Sequence, residues 1–509
     1  MFFGDWLQRR EMLSPNKVAL IDAISHNQPI TYQEWSQQTN QLANFFRDGL
    51  EIRKGDRVSI YAMNRVEYLD ALFACNKLGA ILHVINWRLT VREREGLIND
   101  GAPRVLLYGR EFIKQIDELR SRLPTVEHFI GLDQVTNDQD LHWPTERSDW
   151  PTAQPPPVEL DWEDPWMICY TGGTTGLPKG AILHYRCITA NSVNTIVSWG
   201  LRPDDMMPQY MPFFHTGGLN VLTTPLVHMG GTSIVCAGFD IDQLFDQTEH
   251  LGVTFFFAVP TMFLMMIEHP RWESLDLSNV RLVMAGGGAC PTVVYEAFWE
   301  KGVEFKCGYG LTEAGPNTFW LPAEEVKSKI GSVGRPLFHI DVKLVNEAGE
   351  EVGLDELGHL LTRGPHVFGG YWNRPDATAE TIVDGWLHTG DLARRDEAGD
   401  YYIVGRLKDM IRSGGENIYP AEVEDLMHSH SDIAEAALIR VPDLKWGEVG
   451  RAVIVLKPGA GLTEADLIDW LRERMAHYKV PKSVVFVDTF PKTAANKVDK
   501  QKLIERYAS

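Results

Sequence analysis

The stretch YTGGTTGLPKG, from Tyr170 to Gly180, consists largely of threonine and glycine and contains one lysine. It follows the apolar run WMICY (166–170), which we expect to be a buried strand. A glycine-rich backbone can approach a phosphate closely, and N–H groups, hydroxyls and an ammonium group are the donors that phosphate oxygens need. The stretch departs from the P-loop, G-x-x-x-x-G-K-[ST], because Pro178 precedes Lys179 and Gly180 follows it. It therefore predicts the phosphate loop of another class of nucleotide enzyme, with a flexible surface turn as the alternative.

Composition limits the classes of protein to consider. A chain of 509 residues with 44% hydrophobic residues predicts two or three globular domains. The net charge of −20 argues against a nucleic-acid partner or an acidic membrane surface. Six scattered cysteines without a CxxC pair indicate reduced thiols and no zinc site. With no signal peptide and no membrane span in the sequence, we expect a cytoplasmic protein.

Short apolar runs alternate with helical patterns along most of the chain. This alternation predicts an α/β fold, in which layered β-sheets are largely buried by helices. Helices are expected at 66–79 and from Thr292 to Lys301, where Pro291 lies near the start and Gly302 at the end. The proline-rich stretch 143–165 is expected to be a surface connection. The expected strands are RVSIYAM (57–63), AILHVI (80–85), RVLLYG (104–109), TSIVCAG (232–238), VTFFFAVP (253–260) and VRLVMAGGG (280–288).

The last hundred residues differ from the rest in charge and pattern. From Arg406 onward there are 16 basic and 16 acidic residues, so the preceding part carries the whole net charge. A strand–helix–strand–strand–helix pattern predicts a small α+β domain. We place the boundary at Lys408, which gives a large domain at 1–407 and a small one at 408–509. The segments of the pattern are YYIV (401–404), AEVEDLMHSH (421–430), AEAALIRV (434–441), RAVIVLK (451–457) and EADLIDWLRERMAHY (464–478).

Five further motifs share the glycine-rich or charged character of the opening stretch and occur in a fixed order. They are MPFFHTGG (211–218), CGYGLTEAG (307–315), GSVGRP (331–336), GWLHTGDLARRDEAGDYYIVGRLKDMIRSGGENIYPAEVE (385–424) and PKTAANK (491–497). Together with YTGGTTGLPKG they resemble the signatures of the acyl-adenylate-forming superfamily, most of all those of acyl-CoA synthetases. The resemblance implies a large N-terminal domain, a small mobile C-terminal domain and an active site between them.

The resemblance also implies a reaction of two steps with ATP, Mg²⁺ and CoA as cofactors or co-substrates. A carboxylate attacks the α-phosphate of ATP to give an acyl-adenylate and pyrophosphate. The thiol of CoA then attacks the adenylate and releases AMP. Activation is needed because a carboxylate is a poor acyl donor, whereas AMP is a good leaving group.

Residues in the large domain take their expected roles from the matching positions. Thr312 and Glu313 match the positions that meet the α-phosphate and Mg²⁺, and a carboxylate oxygen suits a hard cation. Tyr309, beside Gly308, resembles the aromatic residue that stacks on adenine, although a core tyrosine is an alternative. Gly287 and Gly288 would let a ring and the acyl group pass close to the backbone. The positions that match the loop around the β- and γ-phosphates are Thr171, Gly172, Gly173, Thr174, Thr175, Gly176 and Lys179; the family often has serine at the position of Gly172.

Residues near the domain boundary match positions that bind the nucleotide and CoA. Asp391 and Arg406 match the ribose-binding pair, and Lys408 matches the hinge about which the small domain turns. A glycine pair at Gly414 and Gly415 would allow close approach of the CoA pantetheine arm. Arg412 and Asn417 lie at positions that touch the nucleotide or the adenylate in relatives.

Two further residues match catalytic positions. Lys497 resembles the lysine that bridges the carboxylate and the α-phosphate, where a fixed cation stabilises growing negative charge. Taken without its motif it would more often be a solvated charge, and Asn496 stands before it where the family usually has glycine. His215 matches the wall or gate of the acyl pocket, without a metal role, and a core histidine is the alternative.

The expected acyl pocket draws on apolar and small residues and offers no evident buried partner for an ammonium group. A fatty or aromatic monocarboxylate is therefore favoured over an amino acid, and the choice between the two stays open. CoA is the expected acceptor. The alternatives are an adenylating enzyme that loads a carrier protein and a non-catalytic nucleotide-binding regulator, and a homodimer is one possible assembly. The expected lining is Phe214, His215, Val259–Thr261, Gly286–Gly288 and 307–310.

Overall fold

The computed structural model describes residues 4–171, 178–288, 290–493 and 497–508. Up to Arg406 the described residues form the following strands: β1 (Val18–Asp22), β2 (Gln28–Thr31), β3 (Arg57–Tyr61), β4 (Ile81–Val84), β5 (Val105–Tyr108), β6 (His128–Gly131), β7 (Leu141–His142), β8 (Pro165–Thr171), β9 (Lys179–His184), β10 (Met206–Gln209), β11 (Thr232–Val235), β12 (Phe255–Ala258), β13 (Leu282–Ala285), β14 (Phe305–Cys307), β15 (Phe319–Trp320), β16 (Ser332–Pro336), β17 (Asp341–Val345), β18 (Gly358–Arg363), β19 (Ile382–Val383), β20 (Trp386–Arg395) and β21 (Tyr401–Arg406).

The helices of the same part, which we call the large lobe (residues 4–407), pack on these strands. They are α1 (Trp6–Leu13), α2 (Tyr32–Asn44), α3 (Val66–Leu78), α4 (Val91–Gly101), α5 (Ile113–Leu119), α6 (Trp143–Glu146), α7 (Tyr185–Trp199), α8 (Thr216–Leu219), α9 (Thr223–Met229), α10 (Ile241–Leu251), α11 (Pro260–Ile267), α12 (Thr292–Glu300), α13 (Ala323–Val326) and α14 (Pro375–Thr381). Within the described ranges, no helix combines the length and apolar character needed to span a bilayer.

A seven-stranded sheet in the order β7-β6-β5-β3-β4-β8-β9 forms the first layer. Most of its pairs are parallel, and β4 and β5 are buried along their whole length, as expected for strands covered on both faces. The edge pair β8–β9 is antiparallel and sets Thr171 opposite Lys179. The two ends of the phosphate-loop motif are therefore adjacent.

Two smaller sheets form the second layer, in the orders β10-β11-β1-β2 and β12-β13-β14. The strands β12, β13 and β14 are parallel, so the residues that follow them meet at one edge. Gly286 follows β13 and Gly308 follows β14, and the N–H of Gly308 donates to the carbonyl of Ala285 at 2.8 Å. This edge brings two of the predicted glycine motifs side by side.

A third sheet, in which every described pair is antiparallel, has the order β15-β16-β21-β20-β18-β17, with β19 on β20. Its pair β20–β21 sets Asp391 opposite Arg406. The segment YYIV (401–404) lies in β21 and pairs with β20 and β16, so its assignment to the small-domain pattern was wrong. The sequence of an apolar strand does not show which sheet the strand joins, because the pairing depends on partners that are distant in the chain.

The part that we call the small lobe (residues 410–508) has one sheet and its own apolar clusters. The sheet has the order β23-β22-β25-β24 with β26 on β25. Lys408 lies in the short 3-10 turn Leu407–Asp409, which joins the two lobes. The elements are β22 (Ile411–Ser413), β23 (Glu416–Ile418), α15 (Pro420–His428), β24 (Ile433–Asp443), β25 (Gly447–Leu456), α16 (Glu464–Arg472), β26 (Ser483–Phe486) and α17 (Lys500–Tyr507).

The remaining element predictions differ from the structure mainly at their ends. The helix predicted from Thr292 to Lys301 ends at Glu300, with Lys301 as its C-cap and Gly302 at φ +77°. Part of the stretch 143–165 is not a surface connection, because Trp143 begins α6 and is buried, while Pro165 begins β8. The buried side chain of Trp143 places the start of this proline-rich stretch in the core.

Gly310 provides a test of the backbone that carries Thr312 and Glu313. It bridges Asn317 across the loop, and a Cβ at position 310 would overlap the backbone oxygen of Pro316. Gly310→Ala is expected to lower the free energy of unfolding by about 1–3 kcal/mol, since the backbone must move apart. Thermal or urea unfolding measures the change.

The matched control is Gly238→Ala, because a Cβ at that position would meet nothing within 4 Å. The control is expected to unfold like the wild type. Equal stability of the two variants would contradict the close packing described for this loop.

Candidate active site

The carboxylate of Glu313 lies where three segments of the large lobe meet. Its Oε1 accepts hydrogen bonds from the hydroxyl of Tyr371 at 2.8 Å and from the hydroxyl of Thr171 at 3.3 Å. The ammonium of Lys179 lies over the ring of Tyr371, 5.0 Å from its centroid. An acid, a cation and two hydroxyls from distant parts of the sequence thus form one cluster.

Backbone pairing sets the positions of these groups. Thr171 and Lys179 are brought together by β8 and β9, and Ala181 of β9 bridges Tyr371. The N–H of Phe368 donates to the carbonyl of Glu313 at 3.0 Å. Glu313 itself is in a 3-10 turn, Thr312–Ala314, in which Thr312 is buried. The predicted phosphate-loop residues Gly172, Gly173, Thr174, Thr175 and Gly176 lie outside the described residues.

A second cluster lies on the β20–β21 pair. The Nε of Arg406 lies 2.8 Å from Oδ1 of Asp391, and the hydroxyl of Tyr309 donates to Oδ2. Burial raises the pKa of Asp391, while the charge of Arg406 and the hydrogen bond from Tyr309 act in the opposite direction. The structure thus brings together Asp391, Arg406 and Tyr309, which the motifs assign to the ribose and the adenine.

Lys497 reaches from the small lobe into the large one. A Cβ at Gly287 would lie 2.5 Å from Cε and 2.8 Å from Nζ of Lys497, so the lysine lies directly on the backbone of Gly287, which has φ +83°. Burial lowers the pKa of Lys497 to about 8, with a further decrease from the charge of Arg406 and an opposing effect from Asp391. Two hydrogen bonds join Lys497 to Thr493, from the N–H of Thr493 to the carbonyl of Lys497 at 2.6 Å and from the N–H of Lys497 to the hydroxyl of Thr493 at 3.2 Å.

His215 faces the same region from a separate loop. Burial lowers its pKa to about 4, and the charge of Lys497 acts in the same direction, so the imidazole is neutral at pH 7. Its Nδ1 accepts a hydrogen bond from the N–H of Gly217 at 2.9 Å, which leaves the proton on Nε2. Asn64 holds the preceding segment, because it accepts from the N–H of Phe213 at 2.8 Å and donates to the carbonyl of Met211 at 2.8 Å.

The predicted CoA loop forms a tight hairpin on the small lobe. Gly414 and Gly415 are its two turn residues, at φ +61° and +92°, and Arg412 pairs with Asn417 on the flanking strands. Positive φ at both turn positions is the condition of the type I′ hairpin, which favours glycine. The recorded contacts of Gly414 are with Trp446 of the same lobe. Lys497, by contrast, contacts a glycine of the large lobe, Gly287.

Motif reasoning missed two residues of this region. Tyr371 lies in the run VFGGYW (367–372), where a glycine pair precedes an aromatic residue, much as glycines surround the other motifs. That pattern could have drawn attention to Tyr371. Asn64 carries no comparable signal, because a single asparagine after a strand is as typical of a turn.

Family models match most of the chain. The model described as AMP-binding enzyme matches residues 7–372, and the model described as AMP-binding enzyme C-terminal domain matches residues 422–497. The chain belongs to the AMP-binding enzyme family. The superfamily predicted from six motifs and the α/β fold class are both confirmed.

Characterised relatives cover nearly the whole chain. A feruloyl-CoA synthase of an Amycolatopsis species is 39% identical over 505 residues, with 99% of each chain covered. An indoleacetate–CoA ligase of Aromatoleum aromaticum is 37% identical, with 98% of this chain and 97% of the relative covered. Among solved structures, an anthranilate CoA ligase in complex with anthranoyl-AMP has a TM-score of 0.91 at 28% identity, with 99% and 96% of the two chains covered. The predicted class of enzyme, an AMP-forming acyl-CoA synthetase, is confirmed by these similarities.

The lowered pKa of Lys497 gives the enzyme an expected pH dependence. A lysine is charged below its pKa, so if the cation is needed, kcat/KM for acid-dependent AMP formation is expected to fall as the pH rises through about 8. In Lys497→Arg the guanidinium stays charged throughout this range, so any remaining activity is expected to lack that decrease. A wild-type profile without a decrease up to about pH 10, the upper range of ordinary lysine titration, would contradict the assignment.

Proposed function

We propose that the protein activates an aromatic carboxylic acid as its acyl-adenylate and transfers the acyl group to CoA. The observation that carries this proposal is the position of Lys497, whose side chain lies on Gly287 of the large lobe. An ammonium group from one lobe, beside the ribose-binding pair of the other, is suited to stabilise charge between an acid and a nucleotide.

In the first step a carboxylate oxygen of the acid bonds to the α-phosphorus of ATP, and the bond to pyrophosphate breaks. Lys179 and the loop between β8 and β9 hold the terminal phosphates, and Asp391 and Arg406 hold the ribose. Lys497 stabilises the negative charge that grows between the carboxylate and the α-phosphate, because a fixed cation in a water-poor site needs no reorganisation. Thr312, buried beside Glu313, offers a hydroxyl to the same phosphate.

In the second step the CoA thiol gives up its proton to water, its sulfur bonds to the acyl carbon, and AMP departs with the electrons of the broken acyl–phosphate bond. For this step the small lobe turns about Lys408 and replaces Lys497 by the hairpin of Gly414 and Gly415. Arg412 and Asn417, on the arms of that hairpin, would face the nucleotide after the turn. His215, with its proton on Nε2, forms part of the wall or gate of the acyl pocket.

The donors around Glu313 fit a magnesium ion. A partly buried carboxylate next to hydroxyl groups offers the oxygen ligands that Mg²⁺ prefers, and phosphates and water would complete its shell. Glu313 would hold the ion, which when bound neutralises phosphate charge. The chain's own part is to orient the carboxylate and the phosphate donors.

The acid class is inferred from the relatives and from the pocket wall. Three kinds of curated relative are named as ligases of feruloyl, indoleacetate and succinylbenzoate acyl groups, all of which carry a ring, while a less similar solved structure is named as a fatty acyl CoA synthetase. Gly286, Gly287 and Gly288 follow β13 without side chains, and a Cβ at Gly288 would meet only Pro260 at 4.0 Å. Phe257 lies on Gly286 and Lys497 on Gly287, so the open space is beside Gly288, where it leaves room for a ring next to the lysine.

Lys497→Ala tests the proposed division of labour between the two steps. The variant is expected to lose roughly 10²-fold or more in adenylation, by analogy with the loss of a preorganised donor. It should still transfer a preformed acyl-adenylate to CoA. Pyrophosphate release measures the first step, and thioester formation from synthetic acyl-AMP measures the second. Equal loss in both steps would refute the assignment.

A panel of acids tests the substrate class. We expect kcat/KM to be highest for an aryl or aryl-alkenyl acid and lower by at least about tenfold for a straight-chain fatty acid of similar carbon number, since one pocket contact is worth about 1–3 kcal/mol. AMP accumulation with CoA is the readout, and an acyl carrier protein in place of CoA tests the other acceptor. A preference for fatty acids would overturn the aromatic proposal and leave the adenylating chemistry intact.

A further inference from the structure

Tyr371 lies between the two charged groups that the proposed function assigns to the nucleotide phosphates and the metal ion. Its hydroxyl donates to Oε1 of Glu313 at 2.8 Å, while the ammonium of Lys179 lies over its ring at 5.0 Å from the centroid. One side chain thus contacts the acid through its oxygen and the cation through its π face. The hydrogen bond to Glu313 and the cation–π contact with Lys179 both form with a neutral tyrosine hydroxyl.

The backbone that presents Tyr371 is held on several sides. The N–H of Tyr371 donates to the hydroxyl of Thr378 at 2.8 Å, and the ring of Phe368 packs edge-on at 4.9 Å. Gly370 has φ +114°, a conformation that few L-residues adopt, and a Cβ there would lie 2.6 Å from Cγ2 of Thr378. The ring of Tyr371 is therefore held in place, and it fixes the positions of its partners Glu313 and Lys179.

The same segment also fixes the main chain of Glu313, through the N–H of Phe368 and the carbonyl of Glu313 at 3.0 Å. Glu313 is thus held at its backbone and at its side chain by residues three positions apart. The two recorded side-chain hydrogen bonds, from Tyr371 and Thr171, both end on Oε1. Among the described residues no side-chain hydrogen bond to the second oxygen, Oε2, is recorded, so this oxygen is the one that we assign to a further ligand.

We propose that Tyr371 is a positioning residue that orients the carboxylate of Glu313 for a metal-bound nucleotide and keeps the ammonium of Lys179 beside it. This inference rests on the proposed function of Glu313 and Lys179. The hydroxyl acts on the carboxylate, and the ring acts on the lysine. The two actions are separable by substitution, because phenylalanine keeps the ring and leucine removes both.

The first experiment measures ATP binding by isothermal titration calorimetry with and without Mg²⁺. Tyr371→Phe is expected to weaken binding of ATP about tenfold in the presence of Mg²⁺, which is the scale of one hydrogen bond to a charged group, and to leave binding without Mg²⁺ unchanged. Tyr371→Leu is expected to weaken binding in both conditions, because Lys179 also loses its contact. The KM for the acid should stay within about twofold of the wild type in Tyr371→Phe, since a twofold change is below the effect of one lost contact.

Tyr402→Phe is a matched control in the same lobe. The hydroxyl of Tyr402 donates to Asp396 at 3.3 Å, and the guanidinium of Arg394 lies over its ring at 4.1 Å, so it repeats the acid–ring–cation arrangement on β21. This control is expected to bind ATP like the wild type. Thermal unfolding of all three variants shows whether a loss of binding reflects a loss of folded protein.

The outcomes separate the inference from its alternatives. Wild-type binding by Tyr371→Phe in the presence of Mg²⁺ would overturn it, and so would an equal loss with and without Mg²⁺, which indicates a packing role. In the Glu313→Gln background Tyr371→Phe should add little, because the hydroxyl has lost its charged partner; a full additional tenfold loss would contradict the coupling. If the wild type binds ATP with Mg²⁺ but no acid gives AMP, the proposed function fails, whereas the binding results still decide the role of Tyr371.

Discussion

Lys497 can reach the large lobe because position 287 has no side chain. Taking an ammonium group out of water is unfavourable, and the lowered pKa of Lys497 records that cost. Asp391 offsets part of that cost, while the positive charge of Arg406 adds to it. A negatively charged ligand would relieve the repulsion between the two cations. The positive charges of Lys497 and Arg406 therefore favour a bound anion and repel each other without one.

The groups that surround Lys497 and Glu313 come from three sheets of the large lobe, which meet in one region. The pair β8–β9 supplies Thr171 and Lys179, the parallel strands β13 and β14 supply the glycine edges, and the pair β20–β21 supplies Asp391 and Arg406. Each sheet contributes short polar or glycine segments at strand ends, while the strands themselves are packed into apolar clusters. The large lobe thus carries the groups proposed to bind the nucleotide, and the small lobe contributes Lys497, whose N–H donates to the hydroxyl of Thr493.

Sequence patterns predicted the fold class and most of the strand positions, and they led to the proposed site residues, because buried strands and glycine-rich motifs leave local signals. They failed where pairing between distant segments decides the outcome. The apolar run YYIV joins β21 of the large lobe, and nothing in its four residues distinguishes that sheet from the next one. Tyr371 was missed for the same reason, since its partners Glu313 and Lys179 are 58 and 192 positions away in the chain and become neighbours only through the pairing of Ala181 with Tyr371.

Arg406 is the last residue of β21, and the turn Leu407–Asp409 follows at once. If the proposed assignments hold, the strand that binds the ribose of the nucleotide therefore ends at the hinge of the small lobe. Any swing of that lobe would pull on a residue bonded to Asp391, so occupancy of the sugar site and the angle of the lobe cannot be set independently. The release of AMP and the return rotation of the small lobe would then be coupled through the backbone of Arg406 and the turn that follows it.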